Sequence, residues 1–502
     1  MIAGWRSVDG KKIISSISKI CWILFLITLP ISNFPIFPGG IGGGTLVRPL
    51  SLYPLIILLI IVILPRFISK PLPKTVLSFL PFVVVALVSS LIASLQGIES
   101  LQGVTAPERT FRALVTLGVG GAIYLLVTLW PENDEDLKLS LRWLYVGFSL
   151  ALFWGTLQTI YVVHFSPRWF ELLSSAQRFI SIRKLFTNRI SGLTYEPNWF
   201  ADQISFLLLP WLLAAVLSGY TVFKWRWRWV TIELFLLGWA LAILPFTFSR
   251  AGLLVMLFLV VVGLLFFRSS KKRGKGEEPG RKFPWRRIFE VVILITVLAA
   301  IIFFAGSRND FFARIWDYWE RAPNEGYVSY LINYFDYLGF GARFTYMETA
   351  FEIFDQHPIL GVGLGNYVFY FNENLPDRPL AAVPEVLRLV VPESVGAKLI
   401  TPKNLIIKIM AETGILGLST FIAFIMAILG SALYLWFSPN KEVKFWGIGG
   451  LLGLIAFGLV AFSFDSFAIP NMWVVFGLIT AAMRLAKKKS SSEKLVFDTT
   501  LN

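Results

Sequence analysis

Twelve apolar stretches, most of them about as long as a bilayer is thick, leave this chain few ways to fold. An α-helix needs about 20 residues to cross a hydrocarbon core ~30 Å deep. Inside that core each backbone N–H and C=O must be satisfied within the segment itself. Candidate spans fall near 18–35, 51–66, 75–95, 111–130, 141–163, 199–219, 229–248, 250–267, 288–306, 414–437, 444–462 and 466–484. With 56% of 502 residues hydrophobic and 15% charged, the composition lies outside the range of soluble domains. The expectation is an all-α, polytopic membrane protein. The first stretch is basic before its apolar run and lacks a small-residue cleavage site after it, so it reads as a retained span.

The net charge of +15 raises nucleic acid as a partner, but its placement argues otherwise. Arg6, Lys11, Lys12 and Lys19 precede the first span, Arg66, Lys70 and Lys74 follow the second, and Lys224, Arg226 and Arg228 follow the sixth. Nine basic residues fill 268–287, and Arg484 with Lys487, Lys488 and Lys489 follows the last span. With twelve spans these all fall on one side, which the positive-inside rule makes cytoplasmic. Both termini are then cytoplasmic, and no nucleic-acid partner is expected. Trp225, Trp227 and Trp229 alternate with the basic residues after the sixth span, as in an interfacial belt. One cysteine, Cys21, and two histidines argue against a disulfide framework and a His/Cys metal site. A carboxylate-held metal is left open by counting; no metal and no cofactor is expected.

The chain divides into spans one to five with an outer connection (1–190), spans six to nine with the basic cytoplasmic loop 268–287 (191–306), a large outer loop (307–404), spans ten to twelve (405–486) and a disordered tail (487–502). Two regions face outward, 165–198 and 307–404. The first contains an amphipathic stretch, Trp169 to Leu173, suited to lying on the membrane surface. The second is polar and aromatic, and long loops held by rigid elements commonly carry function.

Several residues there bear on chemistry. Arg250, in Ser249-Arg250-Ala251-Gly252, closes the outer end of a span. A guanidinium near hydrocarbon needs a partner or a purpose; it either anchors the helix at the interface or binds a diphosphate through charge-assisted hydrogen bonds. Arg343 is either a solvated loop charge or a second such cation. Met347, Phe351 and Phe354 behind it show helical spacing, so a helix should end before Pro358. In the run Gly361-Val362-Gly363-Leu364-Gly365-Asn366 no strand precedes and no lysine closes, so it is not a P-loop. Its glycines permit close backbone approach to a ligand or a tight re-entrant turn. His357 is a base or a helix-end structural residue. Arg189, Glu196, Pro197, Asn198 and Asp202 lead into the sixth span, where Glu196 and Asp202 serve as general bases or pair with Arg189. Asn404, Lys408 and Glu412 share one helical face by i, i+4 spacing, Lys408 and Glu412 forming either a functional or a mutually satisfied pair.

In this order, over about 190–475, these stretches resemble the O-antigen ligase and polymerase superfamily of bacterial envelope glycosyltransferases. The matching positions are Pro197-Asn198, Ser249-Arg250-Ala251-Gly252, Arg343, Pro358-Ile359-Leu360-Gly361-Val362-Gly363-Leu364-Gly365-Asn366, and Lys403-Asn404 through Ala411-Glu412-Thr413-Gly414-Ile415-Leu416-Gly417-Leu418. Where the family carries a candidate catalytic histidine, this chain has Lys403. A lysine with an ordinary pKa of ~10.4 is a poor base and serves better as a cation on the diphosphate. The base is therefore open among Lys403, Glu196 and His357.

The resemblance implies a GT-C-like, metal-independent glycosyltransferase of the bacterial cytoplasmic (inner) membrane. Its donor would be an undecaprenyl-diphosphate-linked glycan and its acceptor a growing polysaccharide or lipid A core. Envelope-polysaccharide assembly proteins are the expected protein partners. Arg250 and Arg343 would stabilise the leaving diphosphate, with Arg189, Asn198, His357, the glycine run, Asn366, Asn404, Lys408 and Glu412 around the substrate. The competing functions are a transporter or flippase of the same lipid-linked glycans and an inactive scaffold of polysaccharide assembly. The chain lacks the related halves common in transporters.

Overall fold

A computed structural model describes residues 2–36, 47–69, 71–228, 230–267, 340–376, 385–387 and 400–500, with positions 296, 300, 303 and 334. The basic segment 268–287, nearly all of the expected span 288–306 and the first part of the large outer loop lie outside the described residues.

The chain runs through α1 (Ile2–Thr28), then α2 (Leu52–Ser69), α3 (Lys74–Ser94), α4 (Ala106–Leu129) and α5 (Asp134–Val163). A short α6 (Pro167–Gln177) follows, then α7 (Pro197–Ser218), α8 (Ile232–Thr247) and α9 (Arg250–Leu265). After the undescribed segment come α10 (Gly341–Gln356), α11 (Leu405–Trp436), α12 (Lys441–Val460) and α13 (Pro470–Thr500). Among the described residues the β-structure is a two-residue antiparallel ladder, Arg226–Trp227 against Val230–Thr231, and two isolated bridges.

Among the described residues, seven helices (α2, α3, α4, α5, α7, α11 and α12) are long and apolar enough to cross a membrane. The expected spans 229–248 and 250–267 form the shorter apolar helices α8 and α9. Those at 18–35 and 466–484 fall largely within α1 and α13, whose polar ends extend beyond them. α13 runs on to Thr500. Its first turns are fixed by packing, and propagating an existing helix through lysine and serine costs little compared with nucleating one.

Burial separates the helices by role. The spanning window of α7 is 94% buried and that of α2 only 22%. A helix apolar all round with a buried surface is a core element; α7 packs against α12 and α8, while α2 presents Ile56, Ile57 and Ile60 outward. Small residues let the core close: Gly449 of α12 abuts the Trp211 ring of α7, and Gly453 abuts Val475 of α13.

Among the described residues, several basic side chains gather with the acidic 132–136 segment at one end. Arg66 pairs with Glu132 at 2.9 Å and donates to the carbonyl oxygens of Leu129 and Trp130. Arg484 donates to the Pro131 carbonyl. Lys138 bridges Glu135 and Glu442, each at 3.0 Å, and Arg142 donates to the Val222 carbonyl. The acidic 132–136 loop, which carries little weight in the orientation rule, here supplies counter-charges to the basic side chains.

At the opposite end α6 folds back on α5: Trp169 Nε1 donates to the Leu157 carbonyl and Leu173 is buried. Leu172 remains exposed on its outer side, as does Phe179 just after it, so the amphipathic stretch lies within a helix with one face free. The loop 461–469 between α12 and α13 organises this end. It receives Arg343 on the Phe462 carbonyl, the Lys403 amide on Asp465 and the Leu405 amide on Ala461.

Candidate functional site: cations around the start of a buried helix

Pro197 opens α7, where its missing N–H costs nothing and its fixed φ suits the first helical position. The preceding Glu196 makes no side-chain cap. Its carboxylate pairs instead with Arg183, at 2.6 Å. Arg189 is the residue that reaches the helix start, donating through Nη2 to Asn198 Oδ1 and through Nε to the Thr247 carbonyl, both at 2.8 Å. The Ile190 amide adds a bond to the Phe246 carbonyl, so the 183–196 connection is tied to the α8–α9 turn. Burial pushes the Arg189 guanidinium down to about 10, with Glu196 opposing and the like charges of Arg250 and Arg183 adding to the fall. The group stays charged at neutral pH but sits among other cations.

Arg250 is the first residue of α9. Before it, Phe248 holds φ +47°, an uncommon left-handed conformation for a bulky residue, and Ser249 caps the helix by accepting from the Gly252 amide. Gly252 lies against α7: a Cβ there would come within 2.5 Å of Ala201 Cβ. The α8–α9 turn is thereby locked onto the first turn of α7, and the strained Phe248 is held by it. Two guanidinium groups, Arg189 and Arg250, thus converge beside the positive end of a 22-residue helix, an arrangement that favours an anion.

Arg343 comes from the other side. It lies in the first turn of α10, the helix expected before Pro358, and its Nη1 donates to the Phe462 carbonyl at 3.0 Å. It stands within electrostatic reach of Asp202 in α7 and of Tyr346 and Glu385. Lys403 joins this group. Its Nζ meets Glu385 at 2.9 Å and lies 5.4 Å from the centre of the Tyr346 ring, while its amide donates to Asp465 Oδ2 at 2.9 Å. Lys403 too holds a left-handed φ, +50°. Burial works to raise the Glu385 carboxyl, but Lys403, Tyr346 and Arg343 together hold it below its usual range. A depressed carboxyl contributes stability above its unfolded value of ~4.3 and loses it as pH falls through the lower folded value. Any stabilisation by the Lys403–Glu385 pair should therefore fade below about pH 4. A thermal-melt series across this range should show a difference between the native protein and Glu385→Gln that closes at the acid end.

The glycine run does something different. Gly361, Gly363 and Gly365 all have positive φ, and their segment fills a break in α11 at Gly414, where φ is 62° and ψ −165°. Val362 and Gly363 donate to the Ala411 and Glu412 carbonyls at 3.1 and 2.8 Å, and Ile415 donates back to Pro358 at 2.8 Å. Ser89 of α3 donates to both the Leu360 and Glu412 carbonyls. Asn366 is fully buried, donating to Val362 and accepting from Thr110. The run is a tight re-entrant segment whose backbone is committed to α11. His357 caps the end of α10, its ring edge-on to Tyr370.

Asn404 is the N-cap of α11, accepting from the Ile406 and Ile407 amides. Asn404→Ala should cost about 1 kcal/mol, the usual value for a lost cap, read as a lowered melting temperature. Lys408 and Glu412 are buried 4.0 Å apart, and Lys408 also donates to the Asp465 carbonyl.

Of the residues singled out in the sequence, Arg189, Asn198 and Arg250 meet at the α7 start, and Arg343 joins Lys403 alongside Asp202. Glu196 is turned to Arg183, and the glycine run, Asn366 and His357 sit in the re-entrant segment. Sequence reasoning passed over Arg183, Glu385 and Asp465. Asp465, an acidic residue in a short connection between two apolar stretches, was findable by the rule that ionisable groups near spans are functional candidates.

Residues 235–422 match the family model described as O-antigen ligase. That range contains Arg250, Arg343, the glycine run, Lys403, Asn404, Lys408 and Glu412; Arg189, Asn198 and Asp202 precede it. The resemblance to the O-antigen ligase superfamily is supported directly, and the chain carries an O-antigen ligase-like membrane segment. No curated protein matches the chain.

Proposed function

We propose that this protein is a membrane glycosyltransferase of the O-antigen ligase and polymerase type, moving a glycan from undecaprenyl diphosphate to an acceptor hydroxyl on the outer face of the bacterial cytoplasmic membrane. The observation that carries this is the convergence of Arg189 and Arg250 at the α7 start, with Arg343, from the first turn of α10, within electrostatic reach of Asp202 in that helix. These charges lie at the end opposite the basic loops, which belong to the cytoplasm under the positive-inside rule.

In this reaction Arg250 and Arg343 bind the diphosphate. They stabilise the charge that builds on it as the anomeric carbon–oxygen bond breaks, an electrostatic role that often dominates catalysis. Arg189, held by Asn198 and Thr247, keeps the α7 start in place and adds to the local potential. Lys403, paired with Glu385, acts as a reserve cation for the diphosphate rather than as a base. No step calls for a metal.

Direct binding tests this. Purified protein should bind undecaprenyl diphosphate, and Arg250→Ala and Arg343→Ala should each weaken it about tenfold or more, since hydrogen bonds to charged groups contribute about 1.5–3 kcal/mol. Unchanged affinity in both variants would count against the assignment.

A further inference from the structure

Between the first turns of α7 and the start of α13 lies a cleft with walls that include Trp199, Phe206 and Phe464. Four polar residues line it. Ser32 accepts from the Tyr195 amide. Asp202, Gln203 and Asn471 are only 8%, 3% and 5% exposed. Each leaves one oxygen, Asp202 Oδ1, Gln203 Oε1 and Asn471 Oδ1, without a hydrogen-bond partner among the described residues. The remaining carboxylate oxygen of Asp202 accepts from Ser463 at 3.4 Å, and Gln203 Nε2 donates to the Leu29 carbonyl at 3.4 Å. A buried acceptor left unpaired costs about 1–3 kcal/mol, so three lining one cleft mark a place that awaits donors.

The ligand chemistry can be narrowed. A polyprenyl tail would cover the apolar walls and leave all three oxygens unpaired. A phosphate would set acceptors against acceptors. A sugar supplies hydroxyl donors together with an apolar ring face that can lie on an indole such as Trp199. The cleft also adjoins the cations: Arg343 donates to the Phe462 carbonyl, and the next residue, Ser463, donates to Asp202.

We infer that this cleft is the subsite for the acceptor sugar, with Gln203 and Asn471 holding its hydroxyls and Asp202 receiving the proton of the attacking one. The inference rests on the transferase assignment. The acceptor hydroxyl oxygen forms a bond to the donor's anomeric carbon, and the bond from that carbon to the diphosphate oxygen breaks. Its electron pair leaves on the diphosphate, and the hydroxyl proton passes to Asp202 Oδ1. Asp202 takes the role of base, for which Lys403, Glu196 and His357 were the first candidates.

Two experiments decide it. In transfer assays with the native lipid-linked donor and acceptor glycan, Gln203→Ala and Asn471→Ala should raise the acceptor KM about tenfold. Asp202→Asn should lower kcat about 100-fold, within the usual range for a general base. All three should bind undecaprenyl diphosphate as the native protein does, which also confirms that they fold. Retention of full kcat by Asp202→Asn, or an unchanged acceptor KM in the other two, would overturn the proposal.

The second experiment needs no turnover. Val47, which lines the cleft, is replaced in a Cys21→Ser background by the Val47→Cys change, and its maleimide labelling is followed with free acceptor oligosaccharide, with sodium or calcium ions, and with neither. Protection by the oligosaccharide that Asn471→Ala abolishes supports the subsite. Such protection in a protein that transfers nothing would keep the sugar cleft and discard the transferase assignment. Protection by cations alone, or none by the oligosaccharide in a protein that does transfer, would discard the sugar cleft and keep the assignment.

Discussion

Arg250→Ala is expected to give a protein that folds, inserts and purifies normally but transfers glycan about 10²–10³-fold more slowly, the usual loss when one preorganised donor to a developing anion is removed. The fold should survive because α9 does not depend on the guanidinium for its start: Ser249 caps it and Gly252 docks it on Ala201. The activity should not survive, because Arg250 adds its charge to Arg189 beside the α7 start, and the charge lost there is not one that Arg189, already committed to Asn198 and Thr247, can replace. Arg250→Lys should recover only part of the rate, since a compact ammonium does not reproduce the planar fork of a guanidinium on phosphate. Transfer rates normalised to folded protein would measure both; wild-type rate in Arg250→Ala would remove the arginine from the mechanism.

The second large effect concerns the fold. Gly414→Ala is expected to prevent accumulation of folded protein, a loss in the exceptional range above about 4 kcal/mol. The backbone at Gly414 occupies a region open essentially only to glycine, and a Cβ there would collide with the carbonyl of Ile359. That clash would expel the 358–363 segment and strand the Ala411 and Glu412 carbonyls that it now satisfies. Gly361→Ala should fail similarly, its Cβ lying 2.5 Å from the Ala411 carbonyl oxygen. Gly430, on the same helix with open space around it, provides the control. Gly430→Ala should be neutral or stabilising by up to about 1 kcal/mol. Detergent-extracted yield, size-exclusion profile and melting temperature of the three variants would test the contrast.

Spans were legible because hydrocarbon imposes length and apolarity on every helix that crosses it, and α10 was legible from the spacing of Met347, Phe351 and Phe354. The break in α11 was not. A span beginning near Gly414 fits the local hydropathy, whereas the helix starts at Leu405 and resumes after the break only because a segment some fifty residues earlier fills it. Partner choice was equally hidden. Glu196 and Asp202 were both plausible partners for Arg189, yet the path of the 183–196 connection gives Glu196 to Arg183, and the α12–α13 loop brings Ser463 to Asp202. The motif residues were found because glycine, arginine and asparagine in apolar surroundings are conspicuous. The Asp202 cleft was missed because Asn471, at the head of a helix more than 260 residues away, gives no local sign of facing it.

The most direct test of the central claim is a transfer assay with purified native protein, an undecaprenyl-diphosphate-linked oligosaccharide and a panel of lipid-linked and lipid A core acceptors. The expected result is a glycan product on an acceptor, undecaprenyl diphosphate released in equal amount, and both lost in Arg250→Ala and Arg343→Ala. No product from folded native protein across that panel, or a product that both arginine variants still make at the native rate, would contradict it.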